Sequence, residues 1–146
     1  MINIHATAIV IGKTGLLFTG PSGWGKSMTA FICMAEARRQ GLFSALVADD
    51  QVFLSKQDGA LIATCPPAIA GLIELRGTGI IRHDHIVQAA MHFAILPGSA
   101  TGENRLPPEG ETTILAEGFE LPVLRLLPHL SLPLAVLMAK APEIGS

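Results

Sequence analysis

Residues 18–27 read FTGPSGWGKS and set Gly20, Gly25, Lys26 and Ser27 in the spacing G-x-x-x-x-G-K-S. Glycines let a backbone wrap tightly, so that amide N–H groups converge on one anion. A helix opening at Lys26 would add the positive end of its dipole to that cradle. Lys26 then reaches β- and γ-phosphates, and the Ser27 hydroxyl is a ligand for Mg²⁺. The flanks suit this reading. The apolar run LLF before the loop predicts a strand, and KSMTAFICMAEARRQ, residues 26–40, predicts a helix. Met28, Phe31, Ile32 and Ala35 form its expected core-facing stripe. Arg38 and Arg39 fall in its last turn, and Gly41 is a stop signal. The nucleotide-binding set is therefore Gly20, Pro21, Ser22, Gly23, Trp24, Gly25, Lys26 and Ser27.

Working outward, INIHATAIVI, residues 2–11, predicts a strand joined to LLFTG by a two-residue hairpin loop at Gly12-Lys13. That register puts His5 opposite Gly20, beside the phosphate cradle, where an imidazole assists proton transfer or binds phosphate. Downstream of the helix, FSALVA predicts a buried strand ending in Asp49-Asp50. In open α/β sheets ligands sit beyond the carboxyl ends of the strands. If this strand lies next to the loop strand and parallel to it, both aspartates face the phosphates. One would hold Mg²⁺ and the other would take a proton from an attacking hydroxyl; the residues alone do not assign the two roles.

QVFLSK and ALIATC flank Gln57-Asp58-Gly59 as a second hairpin, and Pro66-Pro67 breaks the pattern. AIAGLIELRGTGII is a loop-rich segment ending in a strand. AAMHFAIL predicts one strand, PGSATGENRLPPEGE a mobile loop, TTILA and ELPVLRLL two strands, and LPLAVLMAKA a short terminal helix with Pro133 in its first turn. His83 and His85 in HDH would share a face if extended, but two ligands alone read as a surface turn. Trp24 inside the loop reads as packing over the loop, as facing a partner protein or as a partly exposed loop aromatic.

The 146 residues are 49% hydrophobic and only 15% charged, with net charge −2. So little charge on a small chain points to a surface partly covered by other subunits. No run of Lys or Arg exists to track a nucleic-acid backbone. The N-terminal residues lack a signal-peptide pattern, and the apolar tail is interrupted by Pro133. No membrane role is expected, and the expected location is cytoplasmic. Cys33 and Cys65 form neither a disulfide framework nor a metal pattern. Cys33 falls in the helix as a core filler.

A histidine before a hairpin, GPSGWGKS, LVADD and LIELRGTGII, in that order, resemble the catalytic domain of HPr kinase/phosphorylase over about residues 3–82. The segment IELRGTGI is similar to the family signature L-E-x-R-G-x-G-I, and ENRLPPE is similar to a segment that carries a catalytic arginine, here Arg105. The resemblance implies an α/β fold: a P-loop core on a mixed, antiparallel-rich sheet, like that of phosphoenolpyruvate carboxykinase. It implies one such domain over residues 1–146, in the short form found in alphaproteobacteria. It implies ATP- and Mg-dependent phosphorylation of a serine on the phosphocarrier protein HPr, with reverse phosphorolysis in many members. By the same resemblance His5, Lys26, Asp49 or Asp50, and Arg105 are catalytic, Ser27 and Glu74 hold Mg²⁺, and the assembly is a homo-hexamer. The family's C-terminal P-x-R-P-G-R-N segment is not recognisable in LPVLRLLPHLSLPLAVLMAKA, which keeps Arg125. The alternatives are a non-catalytic ATP-binding regulatory module and a small-molecule P-loop kinase. Six scattered arginines count against the second.

Overall fold

The computed structural model describes residues 1–115 and 118–146. Its centre is a six-stranded mixed sheet containing β2 (Thr7–Ile11), β3 (Thr14–Phe18), β4 (Ser44–Ala48), β10 (Phe93–Pro97), β11 (Thr112–Ile114) and β12 (Glu120–Leu126). Their spatial order is β11-β12-β10-β3-β2-β4. β3, β10 and β12 are mutually parallel, whereas β2 runs antiparallel to both β3 and β4. A second, antiparallel sheet has the order β1-β5-β6-β9, from Ile2–Ile4, Val52–Gln57, Ala60–Thr64 and Gln88–Met91. β7 (Leu72–Leu75) and β8 (Gly79–Arg82) pair as a separate hairpin.

β2, β3 and β4 are buried on both faces, which is why they read as near-continuous apolar runs. Ile9, Ile11, Leu16 and Phe18 face the helices α1 (Lys26–Arg39) and α2 (Pro133–Lys140). Ala8, Val10 and Leu17 face the second sheet, against Leu54, Leu61 and Met91. The layers are therefore helices, mixed sheet, antiparallel sheet.

The first hairpin has the expected register, with Ile9 opposite Leu16 and Thr7 opposite Phe18. Gly12 takes φ +61° at the first loop position, as a type II′ turn requires. The expected strand 2–11 is, however, broken at His5-Ala6. Its first segment leaves the hairpin and pairs with β5, Ile4 opposite Val52. The expected strand 89–96 is also two strands. At His92 the chain passes from the second sheet to the first, and His92 bridges the step. Its N–H donates to the Gly15 carbonyl at 2.8 Å, and its Nδ1 accepts the Gly15 N–H at 2.8 Å. Gly15 is required there, because a Cβ would lie 1.9 Å from the Ala90 carbonyl oxygen. Asp58 and Gly59, at φ +50° and +80°, make the second hairpin turn as expected. Ala116, the last residue of the expected strand TTILA, lies outside the described residues.

α1 ends as its sequence directs. Gly41 is left-handed at φ +76°. Its N–H meets the Arg38 carbonyl while the Leu42 N–H meets the Ala37 carbonyl, a Schellman closure. The buried stripe differs from the expected one: Ala30, Cys33, Met34 and Ala37 face the sheet, and Met28 is 38% exposed. Both sets have helical spacing, and the smaller residues let the helix lie close to the sheet. Phe31 instead meets the edge of the His83 ring, with centroids 6.1 Å apart. Glu36, also buried, accepts the Leu134 N–H at 2.7 Å and the Ala135 N–H at 3.1 Å. It thereby caps the N-terminus of α2 from a different helix.

Candidate functional site

The glycine loop joins β3 to α1 at the carboxyl end of the central sheet. Gly20, Gly23 and Gly25 take φ +105°, +88° and +97°, conformations that side chains resist. A Cβ on Gly20 would also sit 2.9 Å from the Leu96 side chain. Trp24 turns inward. It is 7% exposed, packs on Phe18 and donates its indole N–H to the Thr19 carbonyl at 2.8 Å. The indole anchors the loop to the core from beneath.

A cleft of about 400 Å³ opens over this loop. Lys26 lies in it with Nζ 3.3 Å from the Gly20 carbonyl and 3.1 Å from that of Pro21. Burial pulls its ammonium below the ordinary lysine range, opposed by the charges of Asp50 and then Asp49. A desolvated ammonium ringed by loop carbonyls suits exchange of those carbonyls for phosphate oxygens.

The two aspartates have separate environments. β4 is not adjacent to β3, contrary to the expected neighbouring pair; β2 lies between them. Two antiparallel steps nonetheless leave β3 and β4 pointing the same way, so Asp49 and Asp50 reach the cleft. Asp49 is 4% exposed. Its Oδ1 accepts from Thr7 Oγ1 at 2.9 Å and Ser27 Oγ at 2.5 Å, and its Oδ2 from the Glu74 N–H at 3.0 Å. Asp50 turns the other way through a left-handed φ of +74°. It stands in the open with Oδ1 3.2 Å from His5 Nδ1. His5 reaches the cleft through the break between β1 and β2, rather than by extension of the hairpin.

Glu74 lines the cleft from the end of β7. Ser27, Asp49 and Glu74 offer only hydroxyl and carboxylate oxygens, the donor type that Mg²⁺ takes while keeping most of its shell for water and substrate phosphates. Among the described residues no group of three or more His, Cys, Asp or Glu is placed to hold a metal by itself. The HDH segment is not the expected turn but runs beside β4: the Leu46 N–H donates to the Asp84 carbonyl at 2.9 Å and His85 bridges Leu46 in parallel.

Arg105 does not line the cleft. It is exposed in a single 3₁₀ turn, Glu103–Arg105, of the loop after β10. Residues that do line it without having been expected include Met28, Ile32, Arg76, His129 and Leu130. Arg76 lies in the turn that follows β7, two residues beyond Glu74. For His129 the sequence carries no signal; its placement depends on α2.

A strand, a glycine loop and a helix opened by Lys-Ser, with a buried carboxylate on that serine, set in mixed and antiparallel sheets, define the class: a mixed α/β domain. The chain belongs to the family described as HPr Serine kinase C-terminal domain, whose model matches residues 1–90. It is 37% identical over 78 residues to the HPr kinase/phosphorylase of Clostridium botulinum strain Eklund 17B, covering 53% of this chain and 24% of that protein. Similarity to HPr kinase/phosphorylase 1 of Oceanobacillus iheyensis is 42% identity over 79 residues, again 53% of this chain and 24% of that protein. The matched region thus spans about a quarter of the length of these curated relatives. Among solved structures, the Hpr(Ser) kinase/phosphatase from Coxiella burnetii matches with TM-score 0.73 and 28% identity, over 93% of this chain and 91% of that one. The mixed and antiparallel sheets are thus those of an HPr kinase structure.

Proposed function

We propose that the chain binds ATP with Mg²⁺ in the cleft and transfers the γ-phosphoryl group to a serine hydroxyl of HPr. The observation that carries this reading is the division of labour between the adjacent aspartates. Asp49 is committed to Ser27, Thr7 and the Glu74 backbone, so it fixes the helix opening and the metal side of the site. Asp50 is exposed and stands beside His5, so it is the carboxylate open to accept a proton. The serine oxygen attacks the γ-phosphorus as its proton passes to Asp50, and the β–γ bridging oxygen leaves with ADP. Lys26 and the loop N–H groups stabilise the charge on the transferred group. Ser27 and Glu74 would hold the Mg²⁺ that accompanies ATP, which supplies further charge neutralisation.

The test is incubation with γ-labelled ATP, Mg²⁺ and HPr, followed by mapping of the modified residue. Label on one HPr serine, lost in Asp50→Asn, supports the proposal; label on no protein refutes it. The position of Arg105 favours one second reading, an ATP-binding regulatory module, since the loop that would bring an arginine to the phosphates lies outside the cleft. ATP binding without transfer to HPr would establish that module.

A further inference from the structure

The cleft's lining is of two kinds. The glycine loop comes with the acids Asp49, Asp50 and Glu74. The apolar end is Met28 and Ile32, farther along α1 than Ser27, together with Leu130 and the exposed His129. Met28, Ile32 and Glu36 are successive residues of one i, i+4 row on α1. Glu36 holds the Leu134 and Ala135 N–H groups, so the residues just before α2 are laid along the same row. His129 takes a left-handed φ of +66°, which costs a non-glycine residue energy unless its surroundings hold it there.

We infer that this apolar end is the subsite for the nucleotide's base, and that His129 is a specificity-determining residue that stacks on it. The inference rests on the phosphate-binding reading above. A nucleoside triphosphate is strongly anionic at one end and flat and weakly polar at the other. With its phosphates on Lys26 and the loop, the flat end needs apolar floor and an aromatic partner, and the Met28–Ile32–Leu130 arm with His129 offers both. These groups come partly from residues 129–130, beyond the stretch of 1–90 that the family model matches. Base recognition is therefore shared between α1, inside that stretch, and the later residues 129–130.

The test compares Mg²⁺-ATP with Mg²⁺-tripolyphosphate, which carries the phosphates without a base, by calorimetric titration of the full chain. The wild-type chain binds ATP at least about tenfold tighter than tripolyphosphate if the arm takes the base. His129→Gly, which suits the left-handed backbone, and Met28→Gln, on an exposed helix position, each weaken ATP about tenfold. Both leave tripolyphosphate within about twofold. Circular dichroism checks that each variant is folded; should His129→Gly fail, Met28→Gln decides alone. Equal weakening of both ligands, or no weakening of ATP, overturns the base subsite. So does a wild-type chain that binds both ligands equally, which leaves the phosphate reading standing. A wild-type chain that binds neither overturns both.

Discussion

Asp49 and Asp50 are neighbours in sequence and opposites in surroundings, and the difference yields a sharp pair of expectations. Asp49→Asn would keep one acceptor oxygen but turn an N–H₂ toward the Thr7 and Ser27 hydroxyls or toward the Glu74 N–H. With its oxygen kept on the Glu74 N–H, the two hydroxyls must turn to accept, and the bonds lose the carboxylate charge at a cost of about 1–3 kcal/mol, so the Ser27 hydroxyl at the helix opening reorients with it. Asp50→Asn removes a carboxylate from solvent and alters little else, because Asn tolerates the left-handed φ. Its stability should stay within about 0.5 kcal/mol of wild type, while transfer to HPr falls by roughly 10²–10⁴. Urea denaturation of both variants, beside an assay of labelled HPr, separates the roles. If Asp49→Asn is as stable as wild type and Asp50→Asn fully active, the assignment of roles fails. Each acid could be placed near the phosphates from sequence, since a strand end after the loop helix is a local signal. Which of them was free could not, because Thr7 and the Glu74 amide come from residues 42 and 25 positions away along the chain.

Elements whose cues are local agree with the sequence: the Gly12-Lys13 turn, the Asp58-Gly59 turn, and the Gly41 closure of α1. Elements whose fate depends on a distant partner do not. Nothing in INIHATAIVI says that its first residues leave the hairpin, because the competing strand β5 begins at Val52. Nothing in AAMHFAIL marks His92 as a crossing point, because the vacated ladder position belongs to Gly15. α1 was misjudged for a related reason. It carries two apolar rows, and only the sheet and α2 together decide which one goes inside. The same docking gives the Glu36 cap its weight. Glu36→Gln retains one acceptor oxygen for two N–H groups and should lower stability by about 0.5–2 kcal/mol, the usual worth of a helix cap. Trp24, the single tryptophan, is buried beside the glycine loop and serves as the fluorescent reporter of unfolding. An unchanged urea midpoint would show that α2 docks without Glu36.

Across the whole molecule, residues 1–90 supply the cleft's loop and acids, and the later residues complete the central sheet with β10, β11 and β12. The segment between β10 and β12, which carries Arg105, is tied to β12 through an ion pair as well as through the pairing of β11. Arg125 on β12 donates Nη2 and Nε to the two Glu111 oxygens at 2.5 and 3.1 Å, and Nη1 to the Pro97 carbonyl at 2.9 Å. Hydrogen bonding from Arg125 holds the Glu111 carboxyl below its ordinary value; burial opposes it, and the guanidinium charge adds a lesser push downward. The sign follows. Glu111 binds its proton less readily in the folded chain, so the pair stabilises the fold at pH values above the ordinary carboxyl range. That stability fades as pH falls through the ordinary value of 4.5 and below it. The pair is partly exposed, so its worth at neutral pH is about 1 kcal/mol or less. Glu111→Gln should therefore unfold at lower urea than wild type at pH 7, with the gap closing in acid as wild-type Glu111 itself becomes protonated. A gap that stays constant from neutral pH into acid would mean that the tie acts by packing rather than charge.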